Sequence, residues 1–315
     1  MSSAVAVRVD KLSRGFGAVE AVDAVSFEVR AGELFGLVGP DGAGKTTLLR
    51  MLAGVLKPTA GDARIFDDSI VRRPDAIKHD IAYMPQRFGL YVDLTVSENL
   101  AFYADLYSVP RKERPARLER LYHFSNLGPF RDRLAGKLSG GMKQKLALSC
   151  ALVHQPKLLL LDEPTFGVDP ISRRDLWLIV HEMVEQGVTA IVSTAYMDEA
   201  ERFDRVALLH QGSVLAIDTP EHLQQGLPGT VLAIETDRPR AARDALKHSS
   251  RAQRVIIFGD AVHVTVDSAE AAGDIKRALR SADVSVRSMA PVEASFEDVF
   301  IARLADHDGA AASSP

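Results

Sequence analysis

The chain is poor in cysteine, has no long hydrophobic run and carries no large excess of either charge. Its 315 residues include a single cysteine, Cys150, which excludes a disulfide framework and any metal site built from paired cysteines. The longest apolar run, around residues 158–161, is far shorter than the roughly 18 residues of a membrane span. Lys and Arg total 38 against 42 Asp and Glu, and the net charge of −4 gives no support for a nucleic-acid partner, which needs a basic surface.

The sequence also lacks a secretory signal, because Arg8, Asp10 and Lys11 interrupt the first apolar stretch after a few residues. We therefore expect a cytoplasmic protein without direct membrane insertion, so that any membrane role depends on a partner. Hydrophobic residues make up 46% of the chain and charged residues 25%, which is typical of a globular protein. At roughly 150 residues per domain, the length suggests about two domains.

Alternating strands and helices dominate the first 225 residues. Hydrophobic patterning predicts strands at residues 5–10, 22–30, 33–38, 158–161 and 188–193. It predicts helices at residues 46–53, 95–107, 112–127, 139–153 and 171–186. Because strands that alternate with helices pack as βαβ units, the predicted fold class is α/β with a largely parallel sheet.

A different pattern begins near the glycines at 226 and 229. Strand, helix, strand, strand, helix and strand are predicted in turn, at residues 231–235, 240–249, 254–258, 262–266, 269–282 and 284–288. This order is compatible with a small ferredoxin-like α+β domain over residues 226–303. The remaining residues, 304–315, are small and polar, and we expect them to form a disordered tail.

A glycine-rich loop between a predicted strand and a predicted helix matches the phosphate-binding pattern G-x-x-x-x-G-K-[ST] in full. It consists of Gly39, Pro40, Asp41, Gly42, Ala43, Gly44, Lys45 and Thr46. The glycines let successive backbone N–H groups turn towards phosphates, and the positive end of the following helix points at the same anion. Lys45 adds a positive charge at the β- and γ-phosphates, and the Thr46 hydroxyl can bind Mg²⁺. With Thr47, the next residue, this loop forms the predicted nucleotide-binding set.

Two acidic residues, Asp162 and Glu163, follow the apolar strand at 158–161. Such a strand would deliver Asp162 to Mg²⁺ and Glu163 to a water in line with the γ-phosphate. Glu163 would then act as general base or orient that water. An acidic pair alone is equally compatible with a solvated strand end, and the phosphate loop upstream favours the catalytic interpretation.

Ser139, Gly140 and Gly141 form a second candidate anion site, at the start of the helix predicted at 139–153. Two glycines behind a serine leave the positive end of a helix open, here without a lysine. Because one chain has little use for two phosphate cradles, we expect this one to face the nucleotide that another subunit holds.

The phosphate loop, the segment Leu-Ser-Gly-Gly-Met-Lys-Gln at 138–144 and the segment Leu-Leu-Leu-Leu-Asp-Glu-Pro at 158–164 occur in a familiar order and spacing. In these motifs the chain resembles the ATP-binding subunit of an export-type ABC transporter, over about residues 5–225. The resemblance implies the P-loop ABC ATPase fold with a helical subdomain at about 87–155, and ATP and Mg²⁺ as ligands. It also implies membrane-spanning permease subunits as partners, on the inner face of the cell membrane.

The resemblance implies roles for further residues. Phe16 stands where the family stacks an aromatic ring on adenine, although a core phenylalanine fits this position equally well. Gln86 is similar to the glutamine that links Mg²⁺ and the attacking water to the membrane partner. Residues 168–170 resemble the loop that contacts the opposite subunit. The segment at 295–300 resembles the end of the domain appended in export-type members.

Three residues depart from the family pattern. Ala195 stands in place of a histidine that usually follows Ser-Thr at this point, and alanine has no proton or charge to offer the γ-phosphate. Loss of one such donor typically lowers the rate by about 10²–10³. Phe166 replaces a small polar residue before the loop at 168–170, and Asp41 replaces a common asparagine in the phosphate loop. Tyr196 has a hydroxyl, but strand geometry is expected to point it elsewhere.

The chain is similar to the first half of fused two-ATPase multidrug exporters, whose paired sites are unequal. We therefore expect a slow or regulatory nucleotide site in a heteromer with a second ABC ATPase chain, while a homodimer that relies on Glu163 alone stays open. A soluble ABC-type ATPase acting on ribosomes or nucleic acid is an alternative, although such proteins usually join two modules and carry basic segments. A small-molecule kinase does not explain the segment at 138–144.

Overall fold

The structure is a computed structural model, and it describes residues 4–87, 89–247 and 249–312. The chain forms two compact units, Met1–Ile217 and Asp218–Pro315. The boundary predicted after residue 225 therefore falls one short helix too late, because the helix Pro220–Gln225 belongs to the second unit.

The first unit alternates strands and helices, and every strand and helix predicted there is present. Apart from β1 and β2, which are longer than predicted, the observed ends lie within two residues of the predicted ones. The strands are β1 (Val5–Phe16), β2 (Val19–Arg30), β3 (Leu34–Val38), β4 (Ala60–Ile65), β5 (Asp68–Ser69), β6 (Ile81–Met84), β7 (Leu158–Asp162), β8 (Thr189–Thr194), β9 (Arg205–His210) and β10 (Ser213–Asp218). The helices are α1 (Lys45–Leu52), α2 (Val96–Leu106), α3 (Arg114–Ser125), α4 (Gly140–Leu152) and α5 (Pro170–Glu185), with 3₁₀ turns at Gly128–Phe130, Ala135–Lys137 and Met197–Arg202.

A six-stranded sheet in the order β10-β9-β3-β8-β7-β6 forms the centre of the first unit. The pairs β9–β3, β3–β8, β8–β7 and β7–β6 are parallel, which confirms the predicted parallel sheet. β3, β7 and β8 are buried along their whole length, as expected for parallel strands covered on both faces. Because β3 and β7 both flank β8, the loops that follow these three strands meet at one edge of the sheet.

A second sheet, antiparallel and in the order β2-β1-β4-β5, was not predicted. β1 and β2 extend beyond the predicted 5–10 and 22–30, because register shifts between Val9 and Gly15 interrupt the alternation of side chains. β4 and β5 are short and carry several polar residues, so their sequences give no strand signal. Buried residues of β1, β2 and α1 join one apolar cluster with β3.

Three helices, α2, α3 and α4, lie within the predicted helical subdomain at 87–155. Side-chain caps fix where two of them begin. Thr95 and Glu98 form a capping box at the start of α2, and Ser139 accepts from the Met142 N–H at the start of α4. Among the described residues, no helix combines the length and apolar character needed to cross a membrane.

The second unit contains a four-stranded sheet. Its elements are α6 (Pro220–Gln225), β11 (Thr230–Glu235), α7 (Pro239–Leu246), β12 (Arg254–Phe258), β13 (Ala261–Val266), α8 (Ala272–Ser281), β14 (Ser288–Val292) and α9 (Phe296–Ala312). The strand order is β12-β13-β11-β14 and the three pairs are antiparallel, which is the ferredoxin-like arrangement predicted from the sequence. Buried residues of α7 and α8 pack on one face of this sheet.

Two predictions in the second unit are wrong. The last strand is β14 and not residues 284–288, because Val284 packs into the apolar cluster with α8. β14 lies at the sheet edge, where Pro291 is tolerated although it has no N–H to donate. The tail predicted to be disordered from residue 304 instead continues α9 as far as Ala312. Residues 313–315 of that tail lie outside the described residues.

The start of α9 depends on the segment at 295–300. Ser295 donates from its N–H and Oγ to Asp298 Oδ2 at 2.9 and 2.8 Å, and the Asp298 N–H donates to Ser295 Oγ at 3.2 Å. His263 Nδ1, on β13, lies 2.9 Å from the same carboxylate oxygen. Burial alone would raise the pKa of Asp298, but the contacts with His263 and Ser295 outweigh it and hold this pKa below its usual value. One carboxylate therefore links α9 to the sheet.

We predict that Asp298→Asn lowers the free energy of unfolding at neutral pH by about 2 kcal/mol, as is usual for hydrogen bonds to a charged group. Because the folded-state pKa is lowered, the contribution is complete above the unfolded-state pKa of about 4 and is lost as pH falls through the folded-state value. Urea unfolding of both full chains from about pH 7 to about pH 3 should show a difference that shrinks below about pH 4.

Asp306→Asn provides the matched control, because Asp306 is an exposed aspartate on the same helix, 3.7 Å from Arg254. Its replacement should change the free energy of unfolding little at any pH, as is usual for exposed pairs. A difference between wild type and Asp298→Asn that stays constant over the whole pH range would contradict the assigned role of Asp298.

Candidate functional site

A cavity of about 510 Å³ opens where the loops after β3, β6 and β7 come together. Among the described residues, its lining consists of Phe16, Ala21, Asp41, Gly42, Ala43, Gly44, Lys45, Thr46, Thr47, Gln86, Glu163 and Phe166. All of these except Ala21 and Phe166 are residues that the sequence predicts to bind nucleotide or to act in catalysis. The fold therefore brings most of the predicted site together within one chain.

The glycine-rich loop turns sharply into the start of α1. Gly44 caps this helix in the left-handed conformation, with φ of 99°, and a Cβ there would overlap the Ala21 carbonyl oxygen. Glycine at this position leaves the N-terminus of α1 at the cavity, with Lys45, Thr46 and Thr47 in its lining. Backbone N–H groups at a helix N-terminus, together with the helix dipole, attract phosphate.

Lys45 is almost fully buried and is surrounded by oxygens. Its Nζ donates to the carbonyl oxygens of Gly39 at 2.7 Å and Pro40 at 3.0 Å, and it lies 3.1 Å from Glu163 Oε1. Gly39 and Pro40, both predicted site residues, thus contribute backbone carbonyls beneath the cavity. Because an unpaired buried charge is costly, a bound phosphate would have to replace the Glu163 carboxylate as the partner of Lys45.

Asp162 ends β7 beneath the cavity and is buried. Its Oδ1 accepts from Thr46 Oγ1 at 3.0 Å and from Ser193 Oγ at 2.8 Å, whereas its buried Oδ2 has no hydrogen-bond partner among the described residues. Burial raises the pKa of nearby Tyr83, and the Asp162 charge raises it further. A carboxylate with one open oxygen beside a threonine hydroxyl fits a hard cation such as Mg²⁺.

Glu163 follows β7 in a left-handed backbone conformation, with φ of 48°. Its N–H donates to Ser193 Oγ at 3.0 Å and to the Ser193 carbonyl at 3.2 Å, which holds this conformation. One side-chain oxygen faces Lys45, and the other, Oε2, accepts from Gln86 Nε2 at 2.9 Å. The structure thus brings Gln86 and Glu163 into direct contact.

Ser193 is a site residue that the sequence analysis missed. It hydrogen-bonds Asp162 and also holds the backbone of Glu163. The sequence offers only a weak signal, a serine near the end of an apolar strand. Its partner becomes evident from the parallel register, in which Ser193 of β8 stands opposite Asp162 of β7.

Two phenylalanines line the cavity. Phe16 is 47% exposed at the end of β1, with the Arg14 guanidinium 4.6 Å from its ring centre, so it is not a core residue. Phe166 is also about half exposed, although the family pattern places a small polar residue there. Asp41 is exposed at the cavity rim. The cavity thus has aromatic surface from the end of β1 and from the loop after β7.

Ala195 follows β8 directly and offers no polar side chain at the position of the usual histidine. It does lie beside the phosphate loop, because the Thr194 carbonyl accepts from the Gly39 N–H at 3.3 Å. Tyr196 is absent from the described lining of the cavity, and its ring centre lies 4.5 Å from the Arg173 guanidinium. Tyr196 therefore points elsewhere, as expected, and does not compensate for Ala195.

Ser139, Gly140 and Gly141 do not belong to the lining that the described residues form. Ser139 and Gly140 are exposed at the start of α4, and Ser139 Oγ accepts from the Met142 N–H at 3.2 Å. A Cβ at Gly140 would meet nothing, whereas a Cβ at Gly141 would overlap Ser172 on α5. Packing within the chain thus requires Gly141, while Gly140 leaves the N-terminus of α4 open.

Comparison with known proteins identifies the family of this site. A family model described as "ABC transporter" matches residues 22–166, which include most of the residues assigned above. The daunorubicin/doxorubicin resistance ATP-binding protein DrrA of Streptomyces peucetius is 33% identical over 302 residues, an overlap of 94% of this chain and 92% of that protein. This chain belongs to the ABC transporter ATPase family. Membership confirms both the resemblance found in the motifs and the predicted fold class.

Further relatives of this ABC ATPase include proteins from other transporters. "Probable multidrug ABC transporter ATP-binding protein YbhF" of Escherichia coli (strain K12) is 45% identical over 284 residues, covering 89% of this chain and 48% of that protein. The chain thus spans about half the length of the YbhF protein that it matches. "Nod factor export ATP-binding protein I" of Paraburkholderia xenovorans (strain LB400) is 36% identical over 267 residues, 84% of this chain and 87% of that protein.

Solved structures of ABC transporter components share the fold. One described as the ATP binding subunit of an ABC transporter has a TM-score of 0.64 and 31% identity, over 70% of this chain and 92% of its own. The dimeric ATP-binding cassette MJ0796, in a post-hydrolysis state bound to ADP and Pi, has a TM-score of 0.62 and 26% identity, over 68% of this chain and 98% of its own.

We predict that Gly141→Ala destabilises this ABC ATPase and that Gly140→Ala does not. The methyl group added at 141 overlaps Ser172, and forcing extra volume into a packed contact costs about 1–3 kcal/mol. The methyl group at 140 meets only solvent, and alanine is a better helix former than glycine. Urea unfolding of the two variants is the measurement, and each is the control for the other. Equal stabilities would show that α5 does not constrain Gly141.

Proposed function

We propose that this chain binds ATP with Mg²⁺ in the cavity and hydrolyses it to power a membrane transporter of the export type. The observation that carries the proposal is the direct contact of Glu163 with both Lys45 and Gln86 in one pocket. The names of the relatives, which include multidrug, drug-resistance and Nod factor export ATP-binding proteins, support an exporter.

Nucleotide phosphates would lie at the N-terminus of α1, with Lys45 at the β- and γ-phosphates. Thr46 and Asp162 would hold Mg²⁺, with Gln86 beside them, and the ion would neutralise negative charge on the phosphates. Phe16 would stack on adenine, since its exposed ring borders the cavity.

Glu163 is the residue that we assign to the attacking water. Phosphate binding would take Lys45 away from Glu163 Oε1, while Gln86 still orients Oε2. The freed oxygen can then accept a hydrogen bond from water in line with the γ-phosphorus. As the water oxygen bonds to phosphorus, the bond to the bridging oxygen breaks, and Glu163 accepts the proton of the water. The products are ADP and inorganic phosphate.

Two ATPase chains would close face to face, with each ATP between residues 39–46 of one and 139–141 of the other. The open helix N-terminus at Gly140 supports this arrangement. The similar cassette MJ0796 is dimeric with ADP and Pi bound, which supports a dimer in general. Because Ala195 cannot assist hydrolysis, we favour a heteromer with a second ABC ATPase chain over a homodimer. Hydrolysis would add charge at the interface between the two chains, so that the closed pair reopens.

A membrane-spanning permease would contact the surface around α2. Tyr91, Val92 and Leu106 expose large apolar side chains there, and such groups favour a protein interface. Gln86 precedes this surface by only a few residues. A movement of this surface with the permease would therefore displace Gln86 and alter its contact with Glu163. The chain would then lie at the inner face of the cell membrane, held by its permease.

A soluble ABC-type ATPase that acts on ribosomes or nucleic acid is the second candidate. The net charge of −4 does not favour it, because such a partner needs basic segments. Cell fractionation separates the two functions. Membrane association that depends on a permease supports transport, and sedimentation with ribosomes contradicts it.

The first test is ATP binding and steady-state ATPase activity of the purified chain, with Lys45→Ala as the blank. Loss of Lys45 removes the charge that balances the phosphates and leaves Glu163 without its cation, so the blank should lose both activities. We expect ATP binding by the wild type and turnover that requires Mg²⁺. Robust turnover favours a homodimer, and turnover at the level of the blank favours a chain that needs another ATPase. Absence of ATP binding overturns the proposal.

We predict that Ala195→His raises the turnover of the assembled transporter. The new side chain supplies a donor near the phosphate loop, and donors of this kind are typically worth about 10²–10³ in rate. Ala195→Leu adds bulk without a polar group and is the control. If both variants turn over at the wild-type rate, the site is not slowed by the missing donor and the unequal-site proposal fails.

A further inference from the structure

Glu199 is a buried carboxylate to which the catalytic scheme above gives no role. It is 1% exposed and lies in the 3₁₀ segment after β8. Its Oε1 accepts from Arg173 Nε at 2.7 Å and from Trp177 Nε1 at 2.9 Å. Its Oε2 accepts from Thr194 Oγ1 at 2.5 Å and from Thr165 Oγ1 at 3.1 Å. Four donors from different parts of the chain therefore meet at one side chain.

Two of these donors come from segments that border the cavity. Thr165 lies two residues after Glu163, in the loop that follows β7. Thr194 ends β8, and its carbonyl accepts from the Gly39 N–H of the phosphate loop. The other two donors lie on α5. Glu199 thus joins the loop that carries Glu163, the strand end beside the phosphate loop, and a helix outside the cavity.

Arg173 fixes the segment after Ala195 onto α5. Besides Glu199, it pairs with Asp198 at 3.1 Å, and its guanidinium lies 4.5 Å from the Tyr196 ring centre. Burial alone would lower the pKa of Arg173, but Glu199 and Asp198 outweigh it and raise this pKa above its usual value. The Arg173 guanidinium therefore stays charged in this contact.

We propose that Arg173 and Glu199 form a clasp that positions the catalytic loops relative to α5. The inference deepens the proposed function and rests on it. α5 begins within residues 168–170, the loop that the family resemblance sets against the opposite subunit. When a second chain contacts this loop, the clasp passes the displacement of α5 to the loop after β7 and to the end of β8. Glu199 is thus a positioning residue, and it does not touch the reacting atoms.

The clasp depends on charge as well as on shape. A carboxylate has two acceptor oxygens and no proton, so Glu199 can serve all four donors together. An amide of the same size turns an N–H₂ group towards either Arg173 or the two threonines, so part of the network is lost while the volume is kept. Glu199→Gln is therefore a nearly isosteric way to weaken the clasp.

The central test compares Glu199→Gln with Asp198→Asn in the full chain. Both remove a carboxylate charge beside Arg173, but Asp198 lies at the exposed end of the network. We expect Glu199→Gln to lower kcat for ATP by about tenfold and to leave KM within about twofold, because Lys45 and the phosphate loop still bind ATP. Asp198→Asn should keep both values within about twofold of wild type, as is usual for exposed pairs.

Amide hydrogen exchange adds a measurement that needs no turnover. In Glu199→Gln, the amides of Gly39 and of the loop after β7 should exchange faster, while those of α3 stay as in wild type. Thr194→Val is the second variant, since it removes one hydroxyl and keeps the ion pair. It should speed exchange at Gly39 more than in the loop after β7. If Glu199→Gln does not fold, Thr194→Val decides the question.

Unchanged kcat together with unchanged exchange in folded Glu199→Gln overturns the clasp. So does a loss of kcat that only follows the loss of folded protein, because a purely structural role predicts that result. Failure of the proposed function looks different, since the wild type itself would then bind no ATP. In that case the exchange measurement still tests whether Glu199 holds the two loops.

Discussion

Two carboxylates at the buried end of β7 determine how the rest of the site is built. The carboxylates of Asp162 and Glu163 can be buried away from water only if hydrogen-bond donors or cations reach them. These donors are Lys45 and Thr46 at the start of α1, Ser193 on β8, and Gln86 after β6. The parallel sheet supplies them because β3, β8, β7 and β6 are consecutive neighbours that end at one edge. Lys45 and Thr46 thus satisfy the carboxylates and are also the side chains assigned above to the bound nucleotide and its Mg²⁺.

In the proposed mechanism, this sharing would make nucleotide binding and readiness for hydrolysis a single event. Lys45 and Glu163 neutralise each other in a buried pair, and neither can be left without a partner. A phosphate that takes the ammonium frees one carboxylate oxygen, while Gln86 keeps the other in place. Gln86 also begins the segment that leads to the exposed apolar surface near α2. The same exchange of partners could therefore alter the surface where a permease would bind.

Sequence reasoning succeeds here where the signal is local and fails where it depends on distant partners. The buried strands β3, β7 and β8 are continuous apolar runs, and the glycine-rich loop has its own pattern, so both could be predicted. β4 and β5 carry several polar residues, and α9 continues through small and polar ones that look disordered. Ser193 and Glu199 acquire roles only from residues that folding brings to them, and no spacing along the chain reveals those contacts.

The proposed division of labour between two chains rests on two neighbouring glycines and one alanine. Gly141 packs against Ser172 with no room for a Cβ, and Gly140 leaves the start of α4 open to an anion from outside the chain. The helix N-terminus that this chain would offer to the nucleotide of another chain is therefore intact, whereas its own site lacks a donor at Ala195. In a homodimer both sites would share that defect. In a heteromer the partner chain would keep its own donor and would receive the open N-terminus of α4 from this chain. This difference between the two sites favours a second, different ATPase as the partner.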